Sequence, residues 1–274
     1  MNLKQARVLL TGGAGGIGGA IAEALLAKGA AVLLVDMNEM ALQHFATGQL
    51  GQYGDRVATL AANLTRADDR ALVSAQAQHF HGGINVLINN AGVSHFRLLD
   101  EQSPEAIDLA LAVNLQAPIH LCRLLLPHLR GQAAAHILNT GSVFGSIGYP
   151  AYAVYSATKF GMRGFSEALR RELGDSTVSV HYLAPRATRT GINSAEVEQM
   201  NAELGVTMDT VSTVAAAACR ILENEADETV VGWPEKLFTR INSVLPGLVD
   251  KSIARQLAVI RRYAGAGPAA TPSA

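Results

Sequence analysis

Short apolar runs recur along the chain at residues 8–10, 32–35, 57–61, 86–88, 137–138, 178–183 and 230–231. Each is too short for a helix and suits a buried strand. Between them lie stretches whose apolar residues recur three and four apart. Residues 17–28 are one example, with Ile21, Ala24, Leu25 and Ala27 available to pack. Strands alternating with helices predict an α/β fold of Rossmann type, a doubly wound parallel sheet of about seven strands with helices on both faces. After residue 235 the pattern changes. Leu237, Phe238, Ile241, Val244, Leu245, Leu248 and Val249 recur at helical spacing, and Ile253, Leu257 and Ile260 continue it past Pro246-Gly247. The expected organisation is a single α/β domain over residues 1–235, a helical C-terminal extension over 236–263 packed on it, and a mobile tail over 264–274 without charged side chains.

Composition sets limits on this picture. The 274 residues are 49% hydrophobic and 16% charged, ample for one large core, and no proline-rich or serine-rich linker divides them. The net charge of −1 gives no general attraction for nucleic acid. Cys122 and Cys219 sit in apolar helical patterns and read as small buried hydrophobes, which fits a reducing compartment. The histidines show no metal-ligand spacing, since His79 and His81 lack a supporting cluster, and no metal is expected. The first strand begins a few residues from Met1, leaving no room for a signal peptide. No run of about twenty predominantly apolar residues is evident. A soluble cytoplasmic protein is the expectation.

Candidate chemistry begins at the first strand. Thr11-Gly12-Gly13-Ala14-Gly15-Gly16-Ile17-Gly18 separates that strand from the following helix. Glycines there allow a tight turn and a close approach to a pyrophosphate, whose charge the helix N-terminus favours. The second strand ends on Asp36, eighteen residues beyond Gly18. A carboxylate there can bond both ribose hydroxyls of an adenosine and repels a 2′-phosphate. No Arg or Lys lies between Gly12 and Gly18, or at Met37 and Asn38. The cofactor reading is NAD(H).

Tyr155 and Lys159 stand four apart on the opening turns of a helix, hence on one face. An isolated tyrosine titrates near pH ~10, and a neighbouring ammonium with a cationic nicotinamide would favour its phenolate. Ser142 follows the strand at 137–138, thirteen residues before Tyr155. Alone, Gly141-Ser142 reads as a turn; in this setting Ser142 and Tyr155 can converge on one oxygen. Phe144, Ile147, Tyr149 and Tyr152 lie between them. Pocket lining, loop packing and subunit contact are all open readings for that quartet.

With these residues in place, the chain resembles the short-chain dehydrogenase/reductase family over residues 5–232. The resemblance implies that Asn114 supports a water-mediated proton relay and that Ser142 bonds the reacting oxygen. It makes Tyr155 the proton donor or acceptor and Lys159 its partner, bonded to the nicotinamide ribose. For cofactor contact it implies Gly12, Gly15, Gly16, Ile17, Gly18, Asp36, Asn63, Leu64, Asn90, Ala91, Gly92, Tyr155, Lys159, Pro185, Thr188 and Thr190. The chain departs from the family pattern at two positions. Arg186 follows Pro185 where glycine is usual, and Asn63 replaces an adenine-contacting aspartate. Asparagine keeps an acceptor and adds a donor, so adenine contact can survive.

The function implied is interconversion of a secondary alcohol and a ketone, with an apolar substrate. A non-catalytic redox sensor acting through a partner is the rival, but it has no need for Ser142, Tyr155, Lys159 and Asn114 together. Epimerases and dehydratases holding NAD tightly usually carry a longer substrate portion. Specificity should reside in residues 94–99 and 186–210. Related proteins pair the helices at 104–130 and 152–173 across a two-fold axis, which implies a homodimer or homotetramer. Residues 236–262 hold six basic side chains against one acid, Asp250, a net +5 that leaves −6 for the rest. Two readings stand for this extension: a lid over the site or a subunit seam, and a basic amphipathic element on an anionic membrane surface.

Overall fold

The computed structural model describes residues 1–265. Seven strands form its sheet: β1 Arg7–Thr11, β2 Ala31–Asp36, β3 Val57–Ala61, β4 Val86–Asn89, β5 Ala135–Thr140, β6 Val178–Ala184 and β7 Glu228–Val230. Their order is β3-β2-β1-β4-β5-β6-β7, and every pairing is parallel. The helices are α1 Gly16–Ala27, α2 Glu39–Gly48, α3 Ala67–His79, α4 Pro104–Leu111 and α5 Ala117–Arg130. They continue with α6 Ala153–Glu172, α7 Ala195–Glu203, α8 Val211–Asn224, α9 Glu235–Val244 and α10 Pro246–Ala264.

Side-chain alternation along the strands divides the core into two layers. Val8 and Leu10 join Ile21 and Leu25 of α1, Leu42 of α2 and Val214 of α8 on one face. Leu9 points the other way, with Val73 of α3, Leu125 of α5 and Leu169 of α6. The chain is therefore doubly wound, as its periodicity predicts. Order reverses between β1 and β4, so a crevice opens outside their carboxyl ends.

Departures from the sequence reading have local causes. β7 sits two residues earlier than its apolar pair, because Glu228, Thr229 and Val230 find partners on β6. Residues 195–203, expected as loop, form α7, whose N-cap Ser194 accepts from the Val197 N–H at 3.4 Å. The expectation that no segment has membrane-spanning apolarity is corrected. Residues 104–130 form a continuous helical run whose mean hydropathy reaches 1.5, enough by length and composition to cross a bilayer. In this fold the run is a core element, with Leu121, Leu125 and Leu129 fully buried beneath the sheet. Ala264, expected in the tail, ends α10 as a fully buried residue, and its carbonyl accepts from Arg97 Nη1. Residues 266–274 of the expected tail lie outside the described residues.

Candidate active site

The turn after β1 sets one end of the cavity. Gly18 lies against the Gly12 carbonyl so closely that an added Cβ would sit 2.0 Å from that oxygen and 2.7 Å from Asn90 Nδ2. Gly16 adopts φ +56°, which side-chain-bearing residues rarely do. A Cβ on Gly15 would meet nothing within 4 Å, and one on Gly16 only Thr190 at 3.8 Å. The first pair of glycines thus closes the turn, and the space above it stays open. Asn90 steadies this turn from just past β4: its Nδ2 donates to the carbonyls of Thr11 and Gly12 at 3.2 and 3.3 Å. Asp36, at the end of β2, accepts the Ala14 N–H on Oδ2 at 3.1 Å and the Asn38 N–H on Oδ1 at 3.2 Å. Those bonds fix its carboxylate at the cavity edge.

The other end collects the titratable groups. Tyr155 and Lys159 lie on the first turns of α6, and Ser142 stands two residues past the end of β5. Ser142 Oγ accepts the Phe144 N–H at 3.1 Å, which holds the hydroxyl in a tight turn. Lys159 is buried, and its Nζ donates to the Thr140 carbonyl at 3.0 Å and stands 5.6 Å from the Tyr155 ring centre. Burial pushes the Tyr155 phenol up to about 12, and the hydrogen-bonding Ser142 hydroxyl opposes this only in part. Burial pushes the Lys159 ammonium down to about 8. Desolvation is thus the largest influence on both groups in this site.

These ends share one cavity of about 540 Å³. Gly12, Gly15, Gly16, Ile17, Gly18, Asp36, Asn90, Ala91, Gly92, Ser142, Tyr155, Lys159, Pro185, Thr188 and Thr190 all line it. Asn63 and Leu64 do not. Asn63 Oδ1 instead accepts the N–H and hydroxyl of Thr65 at 3.0 and 2.8 Å, and Leu64 is buried. Asn114 also stands outside the cavity wall. Its Nδ2 donates to the Val93 carbonyl at 2.8 Å and Thr158 Oγ1 at 3.3 Å, while its Oδ1 accepts the Val93 N–H. A π-turn over Ala112–Gln116 carries Asn114. Four residues on is Pro118, which has no N–H, so the Asn114 carbonyl lacks an α-helical donor.

Of the apolar quartet, the three aromatic residues Phe144, Tyr149 and Tyr152 line the cavity, with the Phe144 and Tyr149 rings stacked 5.0 Å apart. Ile147 packs instead with Val143 and Val249. Tyr182 escaped the sequence reading, and so did the partners of Arg186. The buried Tyr182 ring lies under the Ser142 loop, 2.0 Å from where a Gly141 Cβ would stand, and its hydroxyl donates to the Lys159 carbonyl at 3.4 Å. Arg186 lines the cavity and ties three segments together. It bonds Asp209 Oδ1 at 2.7 Å, Glu235 Oε2 at 3.0 Å and the Trp233 carbonyl at 2.8 Å. Both acids lie beyond the reach of any local sequence pattern, 23 and 49 residues away.

A dinucleotide fits these residues. The open backbone at Gly15 and Gly16 leaves room for phosphates, and the buried hydroxyls of Thr140 and Thr190 have no protein partner. Among the described residues, no group of three or more His, Cys, Asp or Glu side chains could hold a metal ion. The buried His136–His181 pair, 2.9 Å apart on β5 and β6, lies outside the cavity wall, and burial lowers both rings, His136 to about 4.

Comparison with known proteins agrees with this geometry. A family model described as short chain dehydrogenase matches residues 6–201. Nodulation protein G of Rhizobium meliloti is 32% identical over 225 residues, 80% of this chain and 90% of that protein. A 3-oxoacyl-(acyl-carrier-protein) reductase of Vibrio cholerae is 32% identical over 196 residues, 71% of this chain and 78% of its own length. The crystal structure of a short chain dehydrogenase/reductase from Burkholderia phymatum in complex with NAD superposes with a TM-score of 0.81. It covers 91% of this chain and 96% of that one at 22% identity, a likeness of fold.

Proposed function

The chain belongs to the short-chain dehydrogenase/reductase family of oxidoreductases, and on that premise we propose that it interconverts an apolar secondary alcohol and its ketone with NAD(H). The observation that carries this reading is the convergence of Ser142, Tyr155 and Lys159 in the same cavity as the glycine turn and Asp36. Ser142 orients the substrate oxygen and stabilises its developing charge. Tyr155 gives that oxygen a proton in reduction and takes one in oxidation. When bound, the dinucleotide supplies or accepts the hydride, and its oxidised ring adds positive charge near Tyr155. Lys159 holds the ribose and contributes a second positive charge. Asn114 anchors the backbone beside Tyr155 through Thr158, whose hydroxyl donates to the Tyr155 carbonyl at 2.7 Å. Asn114 also anchors the relay water that returns the proton to solvent. Phe144, Tyr149, Ile192, Val197 and Met200 make the substrate end apolar. A panel of secondary alcohols and ketones, followed at the nicotinamide absorbance with either cofactor, tests this reading. No turnover across the panel would count against it.

Cofactor choice rests on Asp36. Its carboxylate, fixed by two backbone N–H groups, is available to ribose hydroxyls and repels a 2′-phosphate. Asp36→Ala should weaken NAD(H) binding and shrink its preference over NADP(H) by at least ~10-fold, the value of one charge-assisted hydrogen bond. Fluorescence titration with both cofactors reads the ratio. A parent protein that already prefers NADP(H) would refute the assignment.

We also infer a symmetric homodimer or homotetramer built on the α4–α5 and α6 faces. Leu109 and Phe160 are large apolar residues exposed on those helices, at 41% and 44%. Light scattering at micromolar concentration should report two or four chains. A clean monomer would contradict this.

A further inference from the structure

α9 and α10 carry two apolar faces, and only one is used by the fold. On the inner face, Thr239, Val249 and Ile260 are buried, and Ile241 and Ile253 pack against Val143 and Ile147. Asn242 Nδ2 donates to the Ser146 carbonyl at 2.8 Å, and the Tyr149 hydroxyl donates to Gln256 at 2.9 Å. Glu235 and Gln256 line the cavity, so this face roofs the site.

The outer face is unlike ordinary surface. Trp233, Leu237, Phe238, Val244, Leu245 and Leu248 are 68%, 45%, 39%, 76%, 56% and 57% exposed, all within sixteen residues around the α9–α10 corner. Single exposed apolar residues are normal, but a cluster of six large ones marks a surface that meets something. Lys236, Arg240, Lys251 and Arg255 are exposed among or beside them, and none forms an ion pair among the described residues. Of the two acids in this stretch, Glu235 is held by Arg186, leaving Asp250. A protein of net charge −1 thus gathers unpaired cations where it exposes its largest apolar side chains.

We propose that this corner seats the protein on an anionic lipid surface. Leu245, Leu248, Val244 and Trp233 enter the headgroup region, and the four cations meet the lipid phosphates and carboxylates around them. A second copy suits the corner less well, since a two-fold axis would bring like charges together. The lipid contact lies beside the cavity roof and does not depend on the reaction.

Flotation of the full chain with vesicles tests the inference without any measurement of turnover. Recovery with phosphatidylserine-rich vesicles should exceed that with phosphatidylcholine alone by at least ~10-fold and fall in high salt. The double variant Leu245→Glu, Leu248→Glu should lose flotation, as should Lys236→Glu with Arg240→Glu and Lys251→Glu. All five positions are exposed, so parent-like thermal melts are expected of both variants. Equal recovery with both lipids, or variants that float like the parent, would overturn the proposal. So would a parent that stays in solution while the leucine variant changes the mass seen by light scattering, which would make the corner a contact between copies.

Discussion

Tyr155→Phe is expected to lower turnover by at least ~10²-fold while leaving cofactor affinity within about twofold of the parent. The ring stays, and with it the contacts at 5.9 Å to the Tyr152 ring and 6.4 Å to the Phe144 ring. What goes is the hydroxyl, the proposed proton donor, which hydrogen-bonds Ser142 in the cavity. Burial holds this phenol at about 12, so in the protein's own field it is protonated at neutral pH. That state suits ketone reduction, which should be insensitive to pH until the phenol begins to ionise. Alcohol oxidation needs the phenolate, so its rate should rise with pH and approach a plateau above the working pKa. Positive charge from Lys159 and an oxidised nicotinamide moves that point downward. Both pH arms should be absent in the Phe variant. Near-parental turnover would remove Tyr155 from the chemistry, whatever the fate of the cofactor reading.

Most of the sheet was legible in the sequence because its five inner strands are buried on both faces. Runs such as residues 32–35 and 86–88 must be apolar throughout, and no competing pattern obscures them. The glycine turn was equally legible, since the Gly12–Gly18 contact tolerates no Cβ and so dictates residue type at fixed spacing. Elements held by distant partners were not legible. Arg186 reads as an anomaly beside Pro185 until Asp209 and Glu235 fold against it. Tyr182 reads as one more strand residue until its ring is found under Gly141 and Gly145. Asn63 differs in being held locally, its side-chain oxygen accepting from Thr65 two residues on. The π-turn leaves no periodicity signal, although Pro118 four residues after Asn114 is a physical cue to a missing helical bond. For the C-terminal extension, the sequence pattern showed an apolar stripe, and the structure shows two apolar faces, one packed over the cavity and one exposed. The lid and the membrane readings therefore describe opposite sides of the same helices.

Lys159→Met should produce effects of opposite sign on activity and stability. The ammonium is buried, with the Thr140 carbonyl at 3.0 Å as its hydrogen-bond partner. Burial lowers its pKa from 10.5 to about 8, so the folded protein holds this proton less tightly than the unfolded chain does. Below about pH 8 the group is charged in both states, and folding carries the full desolvation penalty. Between that pH and about 10.5 the folded state releases the proton first, so stability rises with pH; above it the penalty is gone. The shift corresponds to ~3 kcal/mol, since each pKa unit is about 1.4 kcal/mol. Methionine fills similar space without the charge but leaves the Thr140 carbonyl short of a donor, which costs about 1 kcal/mol. A net gain of about 2 kcal/mol at pH 7 follows, falling through zero to a loss of about 1 kcal/mol by pH 11. Turnover should fall at least ~10²-fold and the cofactor KM should rise, because ribose contact and positive charge leave together. Urea unfolding at pH 7 and at pH 10.5, run beside the kinetics, reads both signs. A variant destabilised at both pH values would assign Lys159 a structural role; a variant stabilised at pH 7 and inactive identifies a charge that the fold retains for the reaction.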